Sequence, residues 1–164
     1  MPNLAELNAM DREEFTRFAG PVFEHSPWVA ERSCDRRPFA TREQLHAAMC
    51  ETVRNASQDE QLALIRAHPD LVGRAVLTSA SKAEQASAGL GDLTPDEEAL
   101  FERCNRAYRE RFGFPFVICA RLNKKDAILA AFPGRLRHSP EKEIETALEE
   151  IYKIADLRLR DLIP

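Results

Sequence analysis

Hydrophobic positions recur along this chain every three or four residues, between polar starts and proline or glycine stops. That is the period of amphipathic helices. Asp11 opens a short predicted helix carrying Phe15 and Phe18, interrupted at Gly20-Pro21. Ser26-Pro27 opens a second, with Ser26 as cap and Pro27 in the first turn, where a missing N–H costs nothing. Arg36-Arg37-Pro38-Phe39 reads as a connector. Thr41 caps a longer helix over 43–56, whose buried face is Leu45, Ala48, Met49, Thr52 and Val53. Ser57 and Glu60 have capping-box spacing, and the helix they open ends near His68, because Pro69 restricts its predecessor.

The second half follows the same rules. The segment 73–79 has no clear period, and 81–88 reads as a helix stopped by Gly89. Thr94 caps a long helix with the stripe Phe101, Cys104, Tyr108 and Phe112, ended by Gly113. Residues 114–120, Phe-Pro-Phe-Val-Ile-Cys-Ala, are apolar but short and awkward for a helix. One candidate strand cannot build a sheet, so this is a buried extended segment whose backbone groups need partners. A helix over 125–136 and a final one from Ser139-Pro140 through Leu162 complete the pattern. The expected fold class is all-α: a single compact multi-helical domain over residues 1–164 with a buried extended segment. Its helix lengths are too uneven for a regular four-helix bundle.

Composition narrows the functions. The net charge is −4, with acidic and basic residues interspersed. No basic tail or run of stacking aromatics points to nucleic acid. No apolar stretch reaches the length of a membrane helix, and the first residues lack a signal-peptide pattern. A cytoplasmic location is the expectation. Cys34, Cys50, Cys104 and Cys119 are dispersed, with no C-x-x-C pair and no Cys/His cluster for a metal. Four free thiols are expected. Glu24-His25 lacks the second histidine of a metal-binding H-E-x-x-H helix, and glycine-rich phosphate loops and G-x-S-x-G elbows are missing.

Two residues break the pattern. The stripe Leu62, Ile65 arrives at His68, and the stripe Ile144, Leu148, Ile151, Ala155 arrives at Arg158. A histidine and an arginine aimed at a core are costly unless polar partners wait for them. A shared pocket holding an anionic small molecule explains both. His68 suits general acid–base work near neutral pH, with Asp70 as a possible support for the imidazole; it also reads as a structural histidine at a helix end. Arg158 fits a carboxylate bidentately, or snorkels at the core edge. Ser81-x-x-Glu84 has capping-box spacing, which would bring Glu84 and Gln85 out of the first turn beside unpaired N–H groups. Gln85 offers the donor and acceptor that a urea or amide edge needs. The charged rows in 141–150 read as a solvated face.

Together these stretches resemble the 2-oxo-4-hydroxy-4-carboxy-5-ureidoimidazoline (OHCU) decarboxylase family of urate breakdown. The residues that carry the resemblance are Glu24-His25-Ser26-Pro27-Trp28, Arg37-Pro38-Phe39, His68-Pro69-Asp70-Leu71, Ser81-x-x-Glu84-Gln85 and Gly89-Leu90. They continue through Asn105-x-x-Tyr108, residues 112–118, Arg135-Leu136 and Ile154-Ala155-x-x-Arg158-Leu159. The resemblance implies an all-helical, cofactor-free, commonly dimeric enzyme acting on a small ureidoimidazoline, without nucleic acid, membrane or metal. It implies catalytic roles for His68 and its acidic companion Glu84. Pro69, Ser81, Gln85 and Arg158 take substrate-binding positions, with backbone groups of Ile118, Cys119 and Ala120 receiving the ring and ureido groups. Cys104 and His138 depart from the family pattern, with effects expected on packing and local hydrogen bonds. Two other functions fit the residues alone: a helical module binding an acidic peptide or metabolite through Arg158, and a hydrolase or isomerase acting on a related ureido compound.

Overall fold

The computed structural model describes residues 1–73 and 76–164; Arg74 and Ala75 lie outside it, and with them part of the segment 73–79. Among the described residues there are nine α-helices and no strand. They are α1 (Leu4–Ala9), α2 (Arg12–Ala19), α3 (Trp28–Ser33), α4 (Arg42–Arg54), α5 (Gln58–Arg66), α6 (Ser79–Ser87), α7 (Pro95–Phe112), α8 (Lys125–Leu136) and α9 (Pro140–Leu162). The all-α class follows. The chain comprises two compact units, Met1–Ala67 with Tyr152–Pro164, and His68–Ile151.

In the first unit the helix starts obey their polar caps. Asp11, Thr41 and Ser57 each accept a backbone N–H three residues on, and Glu14 and Glu60 close capping boxes. Asn3 and Glu6 do the same for α1, a short helix that the periodicity did not show. Helix α3 differs from expectation. Pro27 is its cap residue, while the Ser26 hydroxyl turns back to donate to the Glu24 carbonyl at 2.9 Å. Helix α3 packs against α2 and α4. Leu7, Phe15, Phe23, Val29, Leu45, Met49, Val53, Leu64 and Ile65 are fully buried. Each such side chain contributes roughly 1.5–3 kcal/mol. Leu62, placed on the buried stripe by spacing, is only half-buried.

The second unit is organised around its extended segment. Gly113 ends α7 at φ 79°, where only glycine is at ease, and returns its N–H to Arg109 at 2.8 Å. The chain then runs extended and buried from Phe114 to Cys119. Phe116 stacks on Phe132 of α8, with ring centroids 3.9 Å apart, and meets Tyr108 of α7 edge-on at 5.3 Å. The backbone finds its partners among side chains. Arg135 donates to the Val117 carbonyl at 2.5 Å, and Glu150 accepts the Cys119 N–H at 3.1 Å. Asn123 and the Leu122 N–H both donate to the Cys119 carbonyl.

One expectation about α9 fails. Glu143, placed on a solvated face, is fully buried, and Ile144 beside it is half-buried. Its carboxylate accepts from Arg135 at 2.5 Å, from the Tyr108 hydroxyl at 2.6 Å, and meets His138 Nδ1 at 2.9 Å. A carboxylate so supplied can stay inside. His138 thus takes part in local hydrogen bonding.

Candidate active site

Helix α5 ends at Arg66, and His68 follows in the bend before Pro69, 7 % exposed. The turn after it is pinned by α6 and α7. Gln85 donates to the Asp70 carbonyl at 3.3 Å and accepts the Val72 N–H at 3.2 Å. Asn105 donates to the Leu71 carbonyl at 2.7 Å. Arg109 donates to the Asp70 carboxylate at 2.8 Å, which answers what Asp70 is engaged with. Val72 sits at φ 59°, a left-handed conformation that a β-branched residue resists. The surrounding bonds hold that strained turn directly behind His68-Pro69.

Helix α6 begins earlier than its sequence pattern indicates. Thr78, extended at φ −62° and ψ 158°, is the cap, and its hydroxyl accepts the Ser81 N–H at 3.2 Å. Its carbonyl takes the Lys82 N–H at 2.9 Å. Ser81 is therefore buried within the first turn rather than capping it, and the expected Ser81–Glu84 capping box gives way to Thr78. Glu84 and Gln85 emerge one turn further along than expected. The two amide contacts of Gln85 leave one N–H and one lone pair for another partner.

Helix α6 packs against the turn Ala120–Leu122, which brings Glu84 within electrostatic reach of Cys119. Burial raises the Cys119 thiol above its ordinary pKa; the Glu150 and Glu84 carboxylates add to the rise, while the Leu122 and Arg121 N–H groups oppose it. This cysteine is a neutral thiol near neutral pH. Of the three residues expected to receive ring and ureido groups, Cys119 has both backbone groups engaged, and Ala120 gives its carbonyl to Asn123 at 3.2 Å.

In the first unit, Arg158 is 7 % exposed and Glu24 only 2 %. Arg158 Nη2 donates to Glu24 Oε2 at 2.9 Å, and Nη1 to the Pro21 carbonyl at 3.2 Å and the Val22 carbonyl at 3.5 Å. Its charged head is inside, so Arg158 does not snorkel. Glu24 was missed by spacing arguments because the two residues lie 134 positions apart. Among the described residues, no group of three His, Cys, Asp or Glu side chains could hold a metal, and no helix is long and apolar enough to cross a membrane.

Each all-helical unit buries a group suited to acid–base or ionic chemistry, His68 in the bend after α5 in one and the Arg158–Glu24 pair in the other. The OHCU decarboxylase family model matches residues 8–160. The chain is 48 % identical to the 2-oxo-4-hydroxy-4-carboxy-5-ureidoimidazoline decarboxylase of Haloferax volcanii, across 96 % of this chain and 94 % of that protein. It is 41 % identical to the corresponding decarboxylase of Amia calva, across 98 % and 94 %. A crystal structure of (S)-allantoin synthase superposes with a TM-score of 0.81 at 36 % identity, covering 99 % of this chain and 54 % of that one. This chain thus spans about half the length of that synthase. A crystal structure of OHCU decarboxylase in the presence of (S)-allantoin shares the fold, with a TM-score of 0.73 at 23 % identity, covering 93 % of this chain and 98 % of that one. The chain belongs to the OHCU decarboxylase family.

Proposed function

We infer that this protein decarboxylates 2-oxo-4-hydroxy-4-carboxy-5-ureidoimidazoline to (S)-allantoin and carbon dioxide without a cofactor. The observation that carries this is the 48 % identity, across 96 % of the chain, to the Haloferax volcanii decarboxylase. The substrate's own structure makes a cofactor unnecessary. The carbon that holds the hydroxyl also holds the departing carboxylate, and its neighbour is an imine carbon. As carbon dioxide leaves, the bonding pair becomes a carbon–carbon double bond. The imine pair moves onto nitrogen, which takes a proton. The resulting enol loses its hydroxyl proton and gains one at the carbon bearing the ureido group.

Residue roles follow this electron flow. His68 moves the proton at the substrate hydroxyl, the work of a buried group whose ordinary pKa lies near neutrality. Glu84 orients or tunes His68. Pro69 shapes the chain beside it, Ser81 and Gln85 hold polar groups of the substrate, and Arg158 anchors an oxygen so that the breaking bond aligns with the imine. Backbone groups of the stretch Ile118, Cys119 and Ala120 receive the ring and ureido groups, within a segment where the Cys119 N–H and carbonyl also serve Glu150 and Asn123. The protein is further read as a cytoplasmic homodimer with no nucleic-acid or membrane partner. The acidic charge balance and the family resemblance support that reading, and light scattering tests the dimer.

The activity is tested by following freshly generated substrate with and without the purified protein, recording carbon dioxide and chiral allantoin together. Faster release with a predominantly (S) product is expected. Acceleration of substrate loss without carbon dioxide would turn the assignment toward a hydrolase or isomerase. No acceleration by folded protein would turn it toward a binding module.

A further inference from the structure

We propose that Glu24 is a positioning residue for the reaction, acting through Arg158. The proposal rests on the reading of Arg158 as a substrate anchor. Glu24 is 2 % exposed, and its carboxylate meets the Arg158 guanidinium at 2.9 Å, while the Pro21 and Val22 carbonyls take the neighbouring nitrogen. These oxygens come from one short stretch. Gly20–Val22 forms a 3-10 turn, and the Ser26 hydroxyl ties down the Glu24 carbonyl at 2.9 Å. The cradle fixes the plane of the guanidinium, and with it the directions of its five N–H donors.

Glu24 also sets the charge. With the Glu24 carboxylate 2.9 Å away, Arg158 meets the substrate with part of its charge offset, an oriented donor rather than a bare cation. That matters because decarboxylation removes negative charge from the carboxylate and spreads it into the ring. A bare buried cation would hold the starting anion more tightly than the transition state, lowering the rate. Pairing with Glu24 reduces that ground-state grip and keeps the alignment.

The test is a steady-state comparison of the parent, Glu24→Gln, Arg158→Gln and the double variant on freshly generated substrate, with folding checked by circular dichroism. E24Q keeps an acceptor oxygen but removes the charge. Its kcat is expected to fall at least tenfold while its KM falls at least threefold, a pairing that a loss of folded protein does not produce. The double variant is expected to match R158Q alone, because Glu24 acts through Arg158. An unchanged or raised KM in folded E24Q overturns the proposal, as do losses that add in the double variant. If R158Q itself retains the parent kcat and KM, the anchor reading of Arg158 fails first and this inference falls with it. Should E24Q not fold, Glu24→Asp withdraws the carboxylate by one methylene; a lower kcat without a raised KM supports the proposal, and a raised KM or parent-like kinetics overturn it.

Discussion

The molecule buries two arginine–glutamate pairs, one in each unit, and they are built differently. In the second unit, Arg135 is surrounded. Glu143 takes its Nε and a terminal nitrogen, Val117 offers a carbonyl, and the Phe116 ring lies 4.2 Å from the guanidinium carbon. Glu143 in turn serves Tyr108 and His138. In the first unit, the contacts of Arg158 include one carboxylate and two backbone carbonyls of a short turn. A cation on an apolar helical face therefore does not by itself mark a functional site. The network around Arg135 holds the extended segment to α7, α8 and α9, a job of architecture. The cradle around Arg158 holds a guanidinium in one plane, which suits a ligand-binding donor.

The largest effect should come from breaking the Arg135 pair. Arg135→Leu leaves Glu143 buried without its main partner, and the loss should be about 3–5 kcal/mol by urea unfolding. A folded R135L protein within ~1 kcal/mol of the parent would show the network to be ornamental. Arg135→Met with Glu143→Leu removes both charges together, and should recover most of that loss, because isosteric replacement of a whole buried pair is often near neutral. A double variant as unstable as R135L would mean that the Val117 contact, not charge pairing, dominates.

Tyr108→Phe comes next. It deletes one hydrogen bond to a charged carboxylate, at a cost of about 1.5–3 kcal/mol. The same contact carries a pH signature. Burial, and then the hydrogen bond to Glu143, raises the Tyr108 phenol above its ordinary pKa. A raised folded pKa means that stability is full below the unfolded value and is lost as the pH climbs through the folded one. Unfolding measured across alkaline pH should show that loss in the parent and a weaker one in Y108F; equal slopes would contradict it. The smallest effect belongs to His138, which is partly exposed. His138→Ala should cost about 1 kcal/mol or less, because solvent screens that edge of the network.

The two pairs also show what the sequence reveals. Thr41, Ser57, Thr94 and Gly113 announce helix ends through local chemistry, and α4, α5 and α7 begin or stop there. Arg158 stands out because an arginine interrupts a run of apolar residues. Glu143 does not stand out, because it lies among other charges in 141–150, where a buried carboxylate and a solvated one look alike. Only its partners distinguish them, and those come from α7, α8 and the bend before α9. Thr78 was passed over for Ser81 because both offer a hydroxyl and only backbone geometry chooses between them. The long-range contacts, Glu24 with Arg158 and Gln85 with the 70–72 turn, leave no periodic trace at all.

The central claim, that the protein drives decarboxylation without a cofactor and with His68 moving the proton, is tested most directly by His68→Ala. Carbon dioxide release from fresh substrate should be measured for the parent and H68A in the presence of a chelator, with the helical spectrum of both recorded. The account predicts that the chelated parent keeps its acceleration, while folded H68A loses about 10²–10⁴-fold. Folded H68A that turns over at the parent rate would contradict it.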